Sequence, residues 1–188
     1  MRFVWGITGA GDYLSESLSV IRRISGELGA EVTVAVSKNG EVVLKWYRLW
    51  EKLNSSFRKV MVEKGPNSPF LAGPLQVGYY SLLVISPATA NTIAKIAYGI
   101  ADTLLTNCVA QAVKGGTPVY IYPIDQKHGT LTTTTPDDRL ITITTRRVDV
   151  ENVDRIRSMQ GISVLGHPAE IESVVASMTA GNLSNRGA

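Results

Sequence analysis

The stretch VISPATANTIAKIAYGIADTLL occupies residues 84–105. It enters from an apolar run, Leu82-Leu83-Val84-Ile85, as a strand buried on both faces does. Pro87 ends that run. Small and hydroxylated residues follow, and then Ile93, Ile96 and Ile100 recur at the spacing of a helix face. A buried strand that passes straight into an amphipathic helix is the repeating unit of a parallel α/β sheet. Capping such a helix needs one polar side chain. Ser86, Thr89, Asn91 and Thr92 supply more than one, beside N–H groups that the first helical turn leaves unpaired. The surplus suits a phosphate and a polar ring system.

The same alternation extends in both directions. Phe3 to Ile7 reads as a first strand ending in Thr8-Gly9-Ala10-Gly11. Leu14, Leu18, Ile21 and Leu28 mark one face of the helix after it, with Gly29 as its stop. Glu31 to Val36 is a second strand that ends in Ser37-Lys38-Asn39-Gly40. Val43, Trp46, Trp50 and Leu53 predict one helix, and Arg58 to Val62 a short third strand. Gly65 to Pro74, rich in proline and glycine, is a loop. Beyond the central stretch, a helix over Thr103 to Lys114 closes at Gly115-Gly116, and Pro118 to Tyr122 is a fifth strand. Pro123 to Asp138 has no regular period and is long for a connection, which marks a functional or subunit-contacting loop. Leu140 to Thr145 reads as a sixth strand. Helices over Val150 to Met159 and Ala169 to Met178 flank a short strand, Ile162 to Leu165, and the tail from Thr179 to Ala188 is expected to fray. The pattern predicts a single α/β domain over residues 1–188, a parallel sheet covered on both faces. In such sheets ligands lie beyond the carboxyl ends of the strands.

Composition narrows the function. The 188 residues are 44% hydrophobic and 19% charged, which suits one packed core and not a disordered chain. A net charge of +3 with no basic cluster beyond Arg146-Arg147 argues against a nucleic-acid partner. The single cysteine, Cys108, excludes an internal disulfide and an iron–sulfur cluster held by this chain's own thiolates. It lies among Leu105, Val109 and Ala112 and reads as a small core residue. No run of about 18 apolar residues occurs, so no membrane span is expected. The chain enters its first strand at once, with no secretory signal, and a cytoplasmic location is expected. No histidine and carboxylate stand at ligand spacing, so no metal is expected.

Along the strand-end edge, Gly9, Ala10 and Gly11 let backbone N–H groups approach an anion, or simply make a tight turn. The pattern is not a dinucleotide fingerprint. The second strand ends in Ser37, where a ribose would ask for Asp or Glu, so a nicotinamide cofactor is disfavoured. Ser37 and Asn39 can hydrogen-bond a ligand or cap the following helix. Trp46, Tyr47 and Trp50 exceed one helix face, which places some of them at an interface or beside a ligand.

SPATANTIAKIAYGIADTLLT, with the Gly-Ala-Gly turn and the strand-end serine in order before it, resembles the Pro-Ala-Ser-Ala-Asn-Thr segment of the homo-oligomeric flavin-containing cysteine decarboxylase superfamily. The resemblance covers about Phe3 to Pro123 and is looser beyond. It implies a Rossmann-like, flavodoxin-type, three-layer sheet that binds FMN in trimers or dodecamers, with the flavin near subunit interfaces. It also implies that Gly9, Ala10, Gly11, Ser37, Thr89, Ala90, Asn91 and Thr92 contact FMN, to which the polar Ser86 and Asn39 are added.

Departures from the superfamily's specialised members select a branch. Its peptidyl-cysteine and phosphopantothenoylcysteine decarboxylases carry a histidine that would fall near Gly73, and no histidine occurs between Met1 and Lys127. They also use a cysteine in a later loop, where this chain has none. Its prenyl-FMN synthases carry an arginine after the fifth strand, where Ile124 stands. WGITGAGDYL and TTTTPDDRLITITTRRVDVENVDRI resemble instead the archaeoflavoprotein and dihydromethanopterin-reductase branch. That resemblance implies an FMN oxidoreductase that accepts electrons from a ferredoxin-like donor and passes them to an acceptor, for example a pterin such as dihydromethanopterin. The alternative is a flavin-dependent decarboxylase of a cysteine-containing peptide or cofactor precursor. His128, in the long loop, is the candidate catalytic residue, while His167 suits a helix cap or the surface.

Overall fold

The computed structural model describes residues 1–184. Six parallel strands form one sheet: β1 (Arg2–Ile7), β2 (Glu31–Val36), β3 (Lys59–Val62), β4 (Leu82–Ala88), β5 (Val119–Pro123) and β8 (Ile162–Val164). Their spatial order is β3-β2-β1-β4-β5-β8. The chain builds outward from β1 to one edge, returns, and builds from β4 to the other. The crevice where that order reverses opens between the ends of β1 and β4.

Helices cover both faces, making the three-layer flavodoxin-type α/β domain. Alternation along β1 sorts the core: Phe3, Trp5 and Ile7 pack with Leu14, Leu18 and Ile21 of α1 (Leu14–Glu27), while Val4 joins Ile93, Leu104 and Leu105 on the opposite face. The second face carries α4 (Ala72–Gln76), α5 (Ala90–Ala97), α6 (Leu104–Lys114) and α7 (Arg147–Arg157), and the first also takes α8 (Glu170–Ser184). Cys108 is fully buried among α6 neighbours, as its spacing predicts.

Six sequence readings change. Pro87 does not end the fourth strand, since β4 runs through it to Ala88. The helix predicted across Val43 to Leu53 is two, α2 (Lys38–Trp46) and α3 (Trp50–Ser56), because the backbone turns at Arg48 with φ 55°. The loop from Gly65 to Pro74 already begins α4 at Ala72. α1 ends at Glu27, so Leu28 falls past its last turn and is exposed. Leu140 to Thr145 does not enter the sheet: β7 (Leu140–Thr144) pairs antiparallel with β6 (Thr130–Thr134), which lies inside the stretch read as irregular. Alternating Leu or Ile with Thr signals a strand but does not name its partner, and the sixth place in the sheet goes to β8 beside β5. The tail expected to fray from Thr179 continues α8 to Ser184, and 185–188 lie outside the described residues.

Close approach of α4 and α6 fixes one glycine. A Cβ on Gly115 would stand 1.9 Å from the Gln76 carbonyl oxygen. Its φ of −86° suits any residue, so contact alone is the constraint. Gly115→Ala should lower stability by about 1–3 kcal/mol, the usual cost of overpacking. Gly26→Ala, on the exposed side of α1 with nothing within 4 Å, should raise it by about 0.5–1 kcal/mol. Denaturant unfolding of both variants checks the pair, and equal effects would contradict the packing described.

Candidate functional site

Three of the helices that begin at the carboxyl edge of the sheet start with a hydroxyl cap. Ser37 Oγ accepts the Gly40 N–H at 2.9 Å, at the start of α2. Thr89 Oγ1 accepts the Thr92 N–H at 3.3 Å, at the start of α5. Thr103 and Thr106 form a reciprocal capping box at the start of α6. These three starts line one cleft of about 600 Å³ together with Thr8, Gly9, Glu63 and Trp46. That volume lies within the range of small-molecule and cofactor sites. The Gly9 backbone lies against α2, since a Cβ there would come within 2.8 Å of the Asn39 Cβ.

The α5 start is locked to β1. Trp5 Nε1 donates to the Ser86 carbonyl at 2.7 Å. Ser86 Oγ pairs with Ser17 Oγ of α1 at 2.9 Å. Thr8 Oγ1 donates to the Pro87 carbonyl at 2.8 Å and accepts the Thr89 N–H at 3.0 Å. The Thr89 and Thr92 hydroxyls lie 3.0 Å apart. After these bonds, the N–H groups of Ala90 and Asn91 have no acceptor among the described residues. They open the helix toward the cleft, where its dipole favours an anion.

Glu63 follows β3 and is 9% exposed. Its Oε2 accepts the Lys38 N–H at 3.2 Å and its Oε1 the Leu104 N–H at 2.8 Å. The carboxylate therefore joins the first residues of α2 and α6. At the rim, Lys95 holds Asp102 through both carboxylate oxygens, at 2.9 and 2.8 Å.

The residues singled out from the sequence divide into those on the cleft and those near it. Gly9, Ser37, Asn39, Thr89, Asn91 and Thr92 border the cleft, and Ala90 supplies an N–H at its edge. Ser86 does not border it: the side chain is fully buried and its hydroxyl is spent on Ser17. Ala10 is also buried, and Gly11 packs under the Tyr47 ring, where a Cβ would meet the phenol oxygen at 2.5 Å. His128 is exposed and lines a separate cavity of about 290 Å³ between the β6–β7 hairpin and the body, with Tyr122, Gln126 and Leu131. Of the aromatic trio, Trp46 reaches the cleft and is 64% exposed, whereas Tyr47 donates its hydroxyl to the Thr134 carbonyl at 3.2 Å. Glu63, Thr8 and Thr103 were missed as site residues. All three stand at strand ends or helix starts on the ligand edge, and that placement was the available signal.

Among the described residues no group of three or more histidine, cysteine, aspartate or glutamate side chains is placed to hold a metal ion, and no helix is long and apolar enough to cross a membrane.

The family model described as Flavoprotein matches residues 1–186. An uncharacterised protein of Methanocaldococcus jannaschii is 50% identical over 175 residues, covering 93% of this chain and 94% of that one. The dihydromethanopterin reductase (acceptor) of the same organism is 43% identical over 143 residues, or 72% of this chain. This chain spans 58% of that relative's length. Among solved structures, Burkholderia xenovorans DmrB in complex with FMN, described as a cubic protein cage for redox transfer, aligns with a TM-score of 0.79 at 27% identity over 95% of each chain. With the family model matched almost from end to end, the chain belongs to the Flavoprotein family.

Proposed function

We propose that this protein binds FMN in the cleft and works in the cytoplasm as an oxidoreductase. On this reading it accepts electrons from a separate ferredoxin-like donor and passes them to an acceptor such as dihydromethanopterin. The observation that carries the reading is the α5 start: unpaired N–H groups of Ala90 and Asn91, flanked by Thr89 and Thr92, at one end of a cleft of about 600 Å³. Phosphate would be held there with the Gly9 turn, and the ring would extend toward Trp46 and Glu63. FMN supplies the redox chemistry, while the protein binds, orients and shields it. The 43% identity to a dihydromethanopterin reductase and the FMN complex of the DmrB neighbour support the choice.

A homo-oligomer, trimeric or dodecameric, is part of the proposal. The cleft is open beside the exposed Val42 and Trp46, and the hairpin exposes Leu131, Ile141 and Ile143, surfaces that a neighbouring copy would cover. The decarboxylase alternative is less well supplied. Burial in α6 pushes the Cys108 thiol up to about 12, with the nearby Glu63 charge adding to the effect, so no reactive cysteine is on offer. His128 stands at the other cavity and not at the cleft.

The purified protein should be yellow or take up FMN, with absorbance that bleaches on reduction. Reduced ferredoxin should bleach it faster than NADH does, and a colourless preparation that ignores added FMN ends the proposal. Thr92→Val should fold, yet bind FMN about tenfold to a hundredfold more weakly, the loss of one hydrogen bond to a charged group at roughly 1.5–3 kcal/mol, and Thr89→Val with Thr92→Val more weakly still. Ser37→Ala should weaken binding less, because Ser37 caps α2 and would reach the ligand only from the neighbouring loop. Fluorescence titration of FMN measures all three.

Cys108 gives an independent check. In the folded protein the raised thiol stays protonated below about 12, so iodoacetamide at pH 8 should label it only after unfolding. Rapid labelling of the native protein would revive cysteine-based chemistry.

A further inference from the structure

Resting on the flavin reading, we infer that Glu63 orients the cofactor in the cleft and holds its reduction potential down. Three helix starts converge on this cleft, and each is by itself a place for an anion. They are not equally open. The first N–H of α2, at Lys38, and the first N–H of α6, at Leu104, both end on the Glu63 carboxylate. At α2 and α6 that leaves the second N–H, at Asn39 and Leu105, without an acceptor among the described residues, whereas at α5 the first two, at Ala90 and Asn91, both lack one.

The asymmetry acts on a ligand with one charged end. A phosphate placed against α2 or α6 meets a carboxylate that is nearly enclosed and already seated on the first N–H of each helix. Against α5 it meets free N–H groups and the Thr89 and Thr92 hydroxyls. The phosphate is thereby sent to α5, and the ring to the part of the cleft that Glu63 borders.

A second consequence follows from the same charge. Glu63 makes no ion pair with any lysine, arginine or histidine among the described residues; backbone dipoles are its partners. Its negative charge is thus held in place at the ring end by two hydrogen bonds. Adding electrons to a ring beside a fixed negative charge is opposed, so the reduced flavin binds more weakly than the oxidised one. A tenfold difference in those affinities corresponds to about 30 mV for a two-electron couple.

The experiment measures the midpoint potential of bound FMN, by spectroscopic titration against reference dyes, in the wild type, Glu63→Gln and Glu63→Asp. The amide keeps the size and removes the charge, so the potential should rise by about 30 mV, a tenfold gain for reduced over oxidised flavin. Glu63→Asp keeps the charge and should stay near the wild type, which a purely structural role for Glu63 would not require. If Glu63→Gln does not fold, the wild type decides: its bound FMN must be harder to reduce than free FMN by at least about 30 mV. Wild type that binds FMN, with Glu63→Gln at an unchanged or lower potential, overturns this inference alone. Wild type that binds no FMN overturns the flavin reading, and this inference with it.

Discussion

The Thr8 hydroxyl is the bond on which the site's geometry depends. It donates to the Pro87 carbonyl and accepts the Thr89 N–H, so one side chain at the end of β1 holds both the exit of β4 and the entry to α5. Strand pairing alone leaves this point loose, because the β4–β5 register shifts between Ile85 and Ala88. Trp5 and Ser17 secure the same segment from beneath through the Ser86 carbonyl and hydroxyl. These groups are buried, and a buried donor or acceptor left unpaired costs about 1–3 kcal/mol. The bends at Ser86 and Pro87 are therefore specified by hydrogen bonds as well as by packing, and the α5 N–H groups keep one direction.

With that direction fixed, the charge pattern of the cleft follows. Parallel strands place every following helix start on the same edge, so a flavodoxin-type sheet concentrates partial positive charge there. A cleft lined by three such starts and no counter-charge would accept an anion at several places. Glu63 takes the first N–H of two of them and sets a negative charge there. Lys95 and Asp102 satisfy one another at the rim, and the charged side chains that also line the cleft are Lys38 and Glu63.

Much of this was legible in the sequence, for identifiable reasons. The fold came from period: continuous apolar runs for strands buried on both faces, and a helix face repeating between them. The α5 start was legible because its polar residues exceed what capping requires. Ser86 misled because a serine on the ligand edge looks the same whether its hydroxyl faces the cleft or the core, and here the Trp5 indole and Ser17 draw it inward. Glu63 escaped notice because its partners are backbone N–H groups far along the chain, which leave no side-chain pattern to read. The hairpin escaped because the Leu/Ile–Thr alternation fixes side-chain direction but carries no information about the pairing partner.

That hairpin connects the site to whatever lies outside the single chain. A two-stranded ribbon is marginal in water by itself. This one is held at few points: Thr133 donates to Asp12, just after the Gly9–Gly11 turn, and the Thr134 carbonyl accepts from Tyr47. Tyr47 in turn covers Gly11 and directly follows Trp46, which borders the cleft. One cross-strand pair, Leu131 with Ile143, faces the same side as Ile141, and all three are substantially exposed. Burying that stripe would steady the ribbon, and the ribbon is tied to both the β1 turn and the end of α2. The hairpin is thus bonded to the segments that directly follow two walls of the cleft, the Gly9 turn and the end of α2 at Trp46.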